Sequence, residues 1–324
     1  MAPARTRTAR TRAAETRDGI ELTSLDGPLF DGAEHTKRDL VDYLDAIRHA
    51  ILPAVAGRAL SVMRVRPGQQ PFMQKNLPKY APDWIARTTV WAEASHREIA
   101  YPLCDDRRAL LWLANQRAVE YHPALIRAGE RHATHLVLDL DPPEGDDFAH
   151  VVRAAMLIRR VLDDLGLVGA VKTSGSKGVH VFVPITPVPV VDSAAATRAL
   201  AARAEALDPE TATTAFIRAD RAGKVFLDST RSIGATVVAA YSPRIRPGLP
   251  VSFPVGWADL PHVTPADFTV STAPDLLAGG DPWAAALPEP QELPAELIEH
   301  GHTIPVARVA AMHEGKRRKR AAQG

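Results

Sequence analysis

Cysteine is all but missing from this chain. Cys104 stands alone among 324 residues, which excludes an internal disulfide and a cysteine-built zinc site and fits a reducing, cytoplasmic setting. Long apolar runs are missing as well. None approaches the roughly 20 residues that a membrane-spanning helix needs, so no membrane partner is expected. The N-terminus carries arginine and threonine in place of the apolar stretch of a secretory signal. An excess of one charge is also absent, with 39 basic against 38 acidic residues. What is present is ordinary for a globular protein: 46% hydrophobic and 24% charged residues, in a chain long enough for one large domain or two smaller ones.

The near-neutral total conceals an uneven distribution. Arg5, Arg7, Arg10, Arg12 and Arg17 crowd the first 17 residues against Glu15, and Lys316, Arg317, Arg318, Lys319 and Arg320 crowd the last 11 against Glu314. Setting these ten basic and two acidic residues aside leaves 29 basic against 36 acidic, an excess of seven negative charges in the body. A nucleic-acid-binding protein is usually basic overall. Any grip on a phosphate backbone must therefore come from local patches, bound metal or the two tails. Residues 1–17 read as a flexible basic arm and 291–324 as a C-terminal segment with a basic tail; a solubilising role and nucleic-acid contact suit both equally.

Between the tails the punctuation is that of an α/β protein. Thr36 with Asp39 resembles a capping box ahead of Leu40, Tyr43, Leu44, Ile47 and Ile51, which recur at helical spacing up to Pro53. Ala59 to Arg66 reads as a strand, and Asp105 and Asp106 cap a helix expected to run to about Val119. From His135 the order is strand, helix, strand, strand, helix, strand, ending at Lys224–Asp228, with a further strand expected from Ala235 to Tyr241. This is the order of a split βαβ unit.

Two segments carry the chemistry. His135–Pro142 ends an apolar run with Asp139 and Asp141, two apart on a strand and so projecting from one face. Thr173–Pro184 places Ser174, Gly175, Lys177 and Gly178 in a turn, then His180 at the start of another apolar run. Paired carboxylates recruit a hard divalent cation, and a basic Gly-Ser turn suits phosphate oxygens. A capped, Asp-rich turn accounts for the first segment alone, and the second is no Walker A loop, since a strand follows it. Asp228, closing the strand Val225–Asp228, supplies a third carboxylate. Three carboxylates on neighbouring strands can clamp two metal ions, one activating an attacking hydroxyl and the other neutralising a leaving pyrophosphate.

Taken together, Leu138–Pro142, Ser174–His180 and Val225–Asp228 resemble the three motifs of archaeo-eukaryotic primase-type polymerases, and more narrowly the polymerase domain of bacterial DNA ligase D. The resemblance extends from about Leu22 to Trp257, through Leu22–Phe30, Phe72–Pro78, Ala81–Trp84, Glu120–His122, Thr213–Arg218 and Tyr241–Arg244. It implies an α/β (α+β) fold: an RRM-like split βαβ catalytic core, about 131–260, with a smaller N-terminal α/β subdomain, about 18–130, packed on it. The whole would form one domain over 18–290.

On matching positions, the resemblance implies Asp139, Asp141 and Asp228 as metal ligands and catalytic residues. Ser174, Lys177, His180 and Arg244 would contact the incoming triphosphate, with His122 near it. Lys37, Arg64, Phe72 and Lys75 fall at DNA-contacting positions, Phe72 at an aromatic platform. The family implies two divalent metal ions, Mn²⁺ preferred and Mg²⁺ possible, and rNTPs or dNTPs as substrates. It implies gapped, nicked or broken duplex DNA as partner, and by analogy a Ku-type protein and a separate DNA ligase, in a nucleoid-associated cytoplasmic setting. A chain without ligase or phosphoesterase segments looks like a stand-alone polymerase. The expected activity is template-dependent extension of a primer 3′-hydroxyl at gaps or double-strand breaks. The alternatives are a primase and a non-catalytic DNA-end-binding module of end joining. Two departures bear on this. Gly27 stands where the family carries a lysine for a downstream 5′-phosphate, leaving Lys37 as its match, and Ser229–Ser232 replaces the usual residues after the third motif, bringing in Arg231.

Overall fold

The computed structural model describes residues 15–92, 96–145, 147–232 and 236–306. Most of the N-terminal arm, the tail from 307 onward, Asp146 and Ala235 lie outside the described residues. Strands β1 (Glu15–Arg17) and β2 (Ile20–Leu22) form a short antiparallel ribbon. Helix α1 (Lys37–Ala46) starts where expected: the Thr36 hydroxyl accepts from the Asp39 amide, and the Asp39 carboxylate accepts from the Thr36 amide at 2.7 Å. The expected single helix breaks at Ile47 and resumes as α2 (Arg48–Val55), which contains Pro53 rather than ending at it. The missing Pro53 amide forfeits one bond only, and α2 still closes with Ala56 donating to Leu52 at 2.8 Å. Thr36→Ala removes the reciprocal cap and should lower stability by about 1 kcal/mol, read as a lower denaturation midpoint at unchanged m-value.

Strand β3 (Arg58–Arg66) pairs antiparallel with β4 (Gln69–Gln74), and β5 (Arg87–Ala92) pairs with β6 (Arg97–Pro102) as a separate hairpin. Helix α3 (Arg107–Asn115), capped by Asp106, stops short of the expected Val119 because Arg117 adopts a left-handed φ of 58° and turns the chain into β7 (Ala118–Arg127). β7 pairs with β3 and meets β8 (His132–Asp141) at Ile126 and Ala133, so the N-terminal layer continues the catalytic sheet.

The core then follows the expected order. After β8 come α4 (Phe148–Asp164), β9 (Ala170–Thr173), β10 (Val179–Pro189), α5 (Val190–Leu207), the two-residue β11 (Ala212–Thr213) and β12 (Val225–Asp228). In space β9, β10, β8 and β12 lie side by side, antiparallel throughout. That is the split βαβ arrangement. Alternation along β8 assigns its two faces different work. Leu136, Leu138 and Leu140 are buried with Ala155, Ile158 and Leu162 of α4 and Ala196 and Leu200 of α5 in one core. Val137, Asp139 and Asp141 project from the opposite face.

The segment expected as a strand from Ala235 to Tyr241 is not one among the described residues. Val237 and Ala239 donate to the Pro123 and Tyr121 carbonyls, but Thr236 alone forms a bridge, with Ala124. Pro123 has no amide to continue a ladder, and Tyr241 at φ 67° turns the chain away. The proline-rich remainder supplies β13 (Pro254–Val255) beside β9, then α6 (Ala273–Leu276), α7 (Pro282–Ala286) and α8 (Ala295–Thr303). α8 lies on α5, where Arg198 donates to the Gly301 carbonyl at 3.0 Å and His302 meets Asp192 at 2.8 Å.

Candidate active site

Strand register builds the centre of the site. Lys172 lies opposite His180, His180 opposite Asp139, and Asp139 opposite Asp228, so one residue from each of β9, β10, β8 and β12 falls in a single cross-sheet row. The row is joined by side chains. Lys172 Nζ lies 2.8 Å from His180 Nδ1, and His180 Nε2 lies 3.1 Å from Asp139 Oδ1. Because the ionised Asp139 carboxylate only accepts, Nε2 carries the proton toward it and Nδ1 accepts from Lys172. Arg231 spans the two carboxylates, 3.1 Å from Asp139 Oδ2 and 3.3 Å from Asp228 Oδ2. Asp141, two residues on, stands opposite Phe226.

Charge in this row is strongly perturbed. Burial pushes the Asp141 carboxyl up, and repulsion from Asp139 adds to it, to a pKa of about 6. Burial works the same way on Asp139, but His180, Arg231 and Lys172 outweigh it and hold this carboxyl well below the usual range. Burial and the neighbouring Lys172 lower His180 to about 4, leaving a neutral ring. Lys172, wholly buried, is itself pushed far down by burial and by Arg244. Among the described residues no three His, Cys, Asp or Glu side chains are arranged to hold a metal ion; the Arg231 guanidinium lies on the oxygens that Asp139 and Asp228 would offer. The donor set nonetheless suits a hard divalent cation, since three carboxylate side chains share one face and Asp141 resists ionising without a counter-charge.

The turn between β9 and β10 is built for close backbone approach. A Cβ at Gly178 would overlap the Leu140 carbonyl. Gly175, at φ 66°, leaves no room for one either, with Arg244 Cγ and Ser252 N both 2.7 Å away. The Ser174 hydroxyl accepts from the Gly178 and Ser176 amides at 3.0 and 3.2 Å, so it fixes the turn. Lys177 extends over the edge, its ammonium donating to the Pro142 carbonyl at 3.0 Å. Arg244 donates to the Ser174 carbonyl at 2.6 Å and pairs with Glu120 at 3.2 Å.

Glu120 ties these parts together. Its carboxylate also takes the Ile245 amide at 3.0 Å and meets His122 at 3.0 Å. Burial raises its pKa, but His122, Arg244 and the Ile245 amide prevail and bring it to about 2. A carboxylate depressed in the folded state contributes stability that is present above its unfolded value near 4.5 and is lost as pH falls toward 2. Glu120→Gln should therefore lower stability at pH 7 by on the order of 2 kcal/mol and flatten the acid limb of the unfolding curve between those pH values.

Two cavities adjoin this face of the sheet. One, of about 720 Å³, is lined by Asp141, Asp228 and Arg231 with Lys177, Arg218 and Arg221. The other, of about 260 Å³, is mostly apolar around Phe182, Val237 and Trp283. Converging charge marks the first as the site.

The residues expected at DNA positions fall elsewhere. Phe72 is half-buried on β4, with the Arg64 and Arg66 guanidinium groups 5.7 and 5.4 Å from its ring centre. Lys75 is exposed. Arg64 is buried and donates to Gln116 and Gln74 at 2.7 and 2.6 Å. Lys37 is also interior: its ammonium donates to Asn115 Oδ1 at 2.7 Å, and burial and Arg117 lower it to about 8. Sequence reasoning missed Lys172, Glu120 and Ser252 as parts of the site. Lys172 directly precedes the Thr173–Pro184 segment and sits eight residues before His180, and only the hairpin register brings the two together.

A split-βαβ sheet with acidic residues and a histidine in one cross-strand row, flanked by a basic Gly-Ser turn, defines a primase-polymerase type of α+β protein. A sequence profile described as "LigD, primase-polymerase domain" matches residues 36–283, and the chain belongs to that family. It is 33% identical over 288 residues to the bifunctional non-homologous end joining protein LigD of Bacillus subtilis, covering 87% of this chain and 46% of that protein. It is 36% identical over 256 residues to the multifunctional LigD of Mycobacterium bovis, covering 74% and 33%. The chain thus spans a third to a half of the length of these relatives. The fold is similar to that of the polymerase domain of Mycobacterium tuberculosis ligase D in complex with DNA. The TM-score is 0.77 at 32% identity, covering 82% of this chain and 97% of that one.

Proposed function

We propose that this chain is a DNA-repair polymerase: a template-dependent nucleotidyltransferase that adds rNTPs or dNTPs to primer 3′-hydroxyls at gaps, nicks or broken ends. The observation that carries this reading is the cross-sheet row, which puts Asp139, Asp228 and His180 side by side next to a basic-rimmed cavity of about 720 Å³. Family membership and the solved relative's complex with DNA support it.

In this reading Asp139, Asp141 and Asp228 hold two divalent ions, Mn²⁺ or Mg²⁺. Such ions lower the pKa of an attacking hydroxyl and neutralise charge on the leaving pyrophosphate. His180 Nε2–H orients Asp139. Ser174 shapes the turn whose backbone and Lys177 face the phosphates, and Arg244 braces that turn through its carbonyl while adding positive charge. His122 steadies Glu120, which in turn holds Arg244. Phe72, pressed by Arg64 and Arg66, offers a π face for a template base, with Lys75 nearby in sequence for the backbone. Lys37, tied to Asn115, acts on a downstream 5′-phosphate only by exchanging that partner. A Ku-type protein and a separate ligase would complete end joining.

The test is extension of a gapped, 5′-phosphorylated duplex with Mn²⁺ and either rNTPs or dNTPs, with EDTA as control. Metal-dependent extension supports the reading, and its absence sinks it. Synthesis without any primer would favour a primase.

A further inference from the structure

Of the residues that depart from the family after the third motif, Arg231 brings a positive charge into the site. It sits on a 3₁₀ turn (Thr230–Ser232), anchored by Ser232, whose hydroxyl is buried 2.9 Å from Thr197 Oγ1. The four oxygens of Asp139 and Asp228 are divided with some economy. Asp139 Oδ1 takes His180, and Asp228 Oδ1 takes the Thr230 amide and hydroxyl at 2.8 and 2.6 Å. The two remaining oxygens, both Oδ2, face Arg231: Nε lies 3.2 Å from that of Asp139 and 3.3 Å from that of Asp228. Among the described residues, one oxygen on each acid thus has no partner but Arg231, whose cation lies between them.

We infer that Arg231 is a built-in competitor for the metal seat: its guanidinium and a divalent cation contend for the same Oδ2 pair. The inference rests on the polymerase reading for the identity of the cation. Its physics is local. A guanidinium bridging two buried carboxylates makes charge-assisted bonds that an incoming ion must break, and its positive charge opposes that ion at short range. Once displaced, the side chain is left on the wall of the 720 Å³ cavity with Lys177, Arg218 and Arg221. There the phosphates of a nucleotide are the fitting partner. Arg231 therefore sets a threshold for metal loading that a chain with a neutral residue at this position would not have.

The experiment is Mn²⁺ binding to the purified full chain, followed by electron paramagnetic resonance of the free ion, for wild type, Arg231→Gln, Arg231→Lys and Asp139→Asn. Arg231→Gln should bind Mn²⁺ on the order of tenfold more tightly than wild type. Arg231→Lys, which keeps the charge, should stay close to wild type, and Asp139→Asn should lose the site. Thermal unfolding in EDTA runs alongside, because losing a merely structural ion pair would lower the midpoint without tightening Mn²⁺. Equal affinity in wild type and Arg231→Gln, with both above Asp139→Asn, overturns the inference and leaves the polymerase reading standing. Tightening by Arg231→Lys as large as by Arg231→Gln overturns the charge competition. No binding above the Asp139→Asn level in any form removes the metal site and the polymerase reading with it.

Discussion

Asp139→Ala is expected to reduce metal-dependent nucleotide addition by at least about a thousandfold, to the background of the assay. Asp139 is the residue on which the rest of the row converges, with His180 on one oxygen and Arg231 on the other. Alanine removes a metal ligand and leaves two donors without their acceptor. That second effect is a stability effect, and it has to be separated from the first. An unpaired buried donor costs about 1–3 kcal/mol, enough to lower the unfolding midpoint but not to empty the native state of an ordinary domain. Asp139→Asn keeps the shape and an acceptor oxygen toward His180, so its midpoint should stay nearer wild type while its activity falls as far. Equal activity loss at unequal stability is the signature of a ligand. If both variants retain more than about a tenth of wild-type activity at saturating Mn²⁺, the metal lies elsewhere.

Much of the core was legible in the sequence because its strands are short apolar runs with polar punctuation at fixed offsets. Val225–Asp228 is a complete strand, and β8 ends at Asp141, as the change from apolar to charged residues signals. The capping box at Thr36 likewise marked one helix start, and of the two candidates Asp105 and Asp106 the second caps the other. Helix ends were less legible. The stop at Asn115 is enforced by a left-handed Arg117, a conformation that a non-glycine residue does not advertise. The segment from Val237 to Tyr241 has strand composition but faces Pro123 across the gap, and ladder formation depends on a partner far away in sequence.

The candidate site divides the same way. Asp139, Asp141 and Asp228 could be picked out as strand-end carboxylates, whereas the register that sets Asp228 opposite Asp139, and Lys172 opposite His180, is a tertiary fact. The Arg231 bridge was equally hidden. A basic residue three positions beyond Asp228 has many surfaces to visit, and only the 3₁₀ turn decides that it folds back over the acids. Lys37 shows the converse: the family resemblance implied a phosphate contact there, yet its ammonium is engaged in the interior.

Lys172→Met should lower nucleotide addition by about 10- to 100-fold with little loss of stability, and the contrast between the two is the point. Lys172 is fully buried, with Ser252 Oγ at 2.5 Å, His180 Nδ1 at 2.8 Å and the Phe182 ring 5.6 Å away. Burying a group that is charged in water is costly, and methionine fills similar volume without that cost, so the unfolding midpoint should stay level or rise. Ser252 keeps a partner, because its hydroxyl donates to the Thr173 carbonyl at 2.8 Å. What methionine cannot do is donate to Nδ1. Without that donor Nδ1 becomes a buried acceptor with no partner, and the ring keeps only its Nε2–H bond to Asp139. Held at one end only, the ring can swing, and Asp139 is held less firmly in the position in which it would meet its metal. Lys172 is thus a positioning residue, acting through the orientation of His180. Histidine ¹⁵N chemical shifts read this directly: Lys172→Met should keep the Nε2–H form while its Nδ1 resonance moves to that of an unbonded acceptor. An unchanged Nδ1 resonance with full activity would show that Asp139 alone orients the ring.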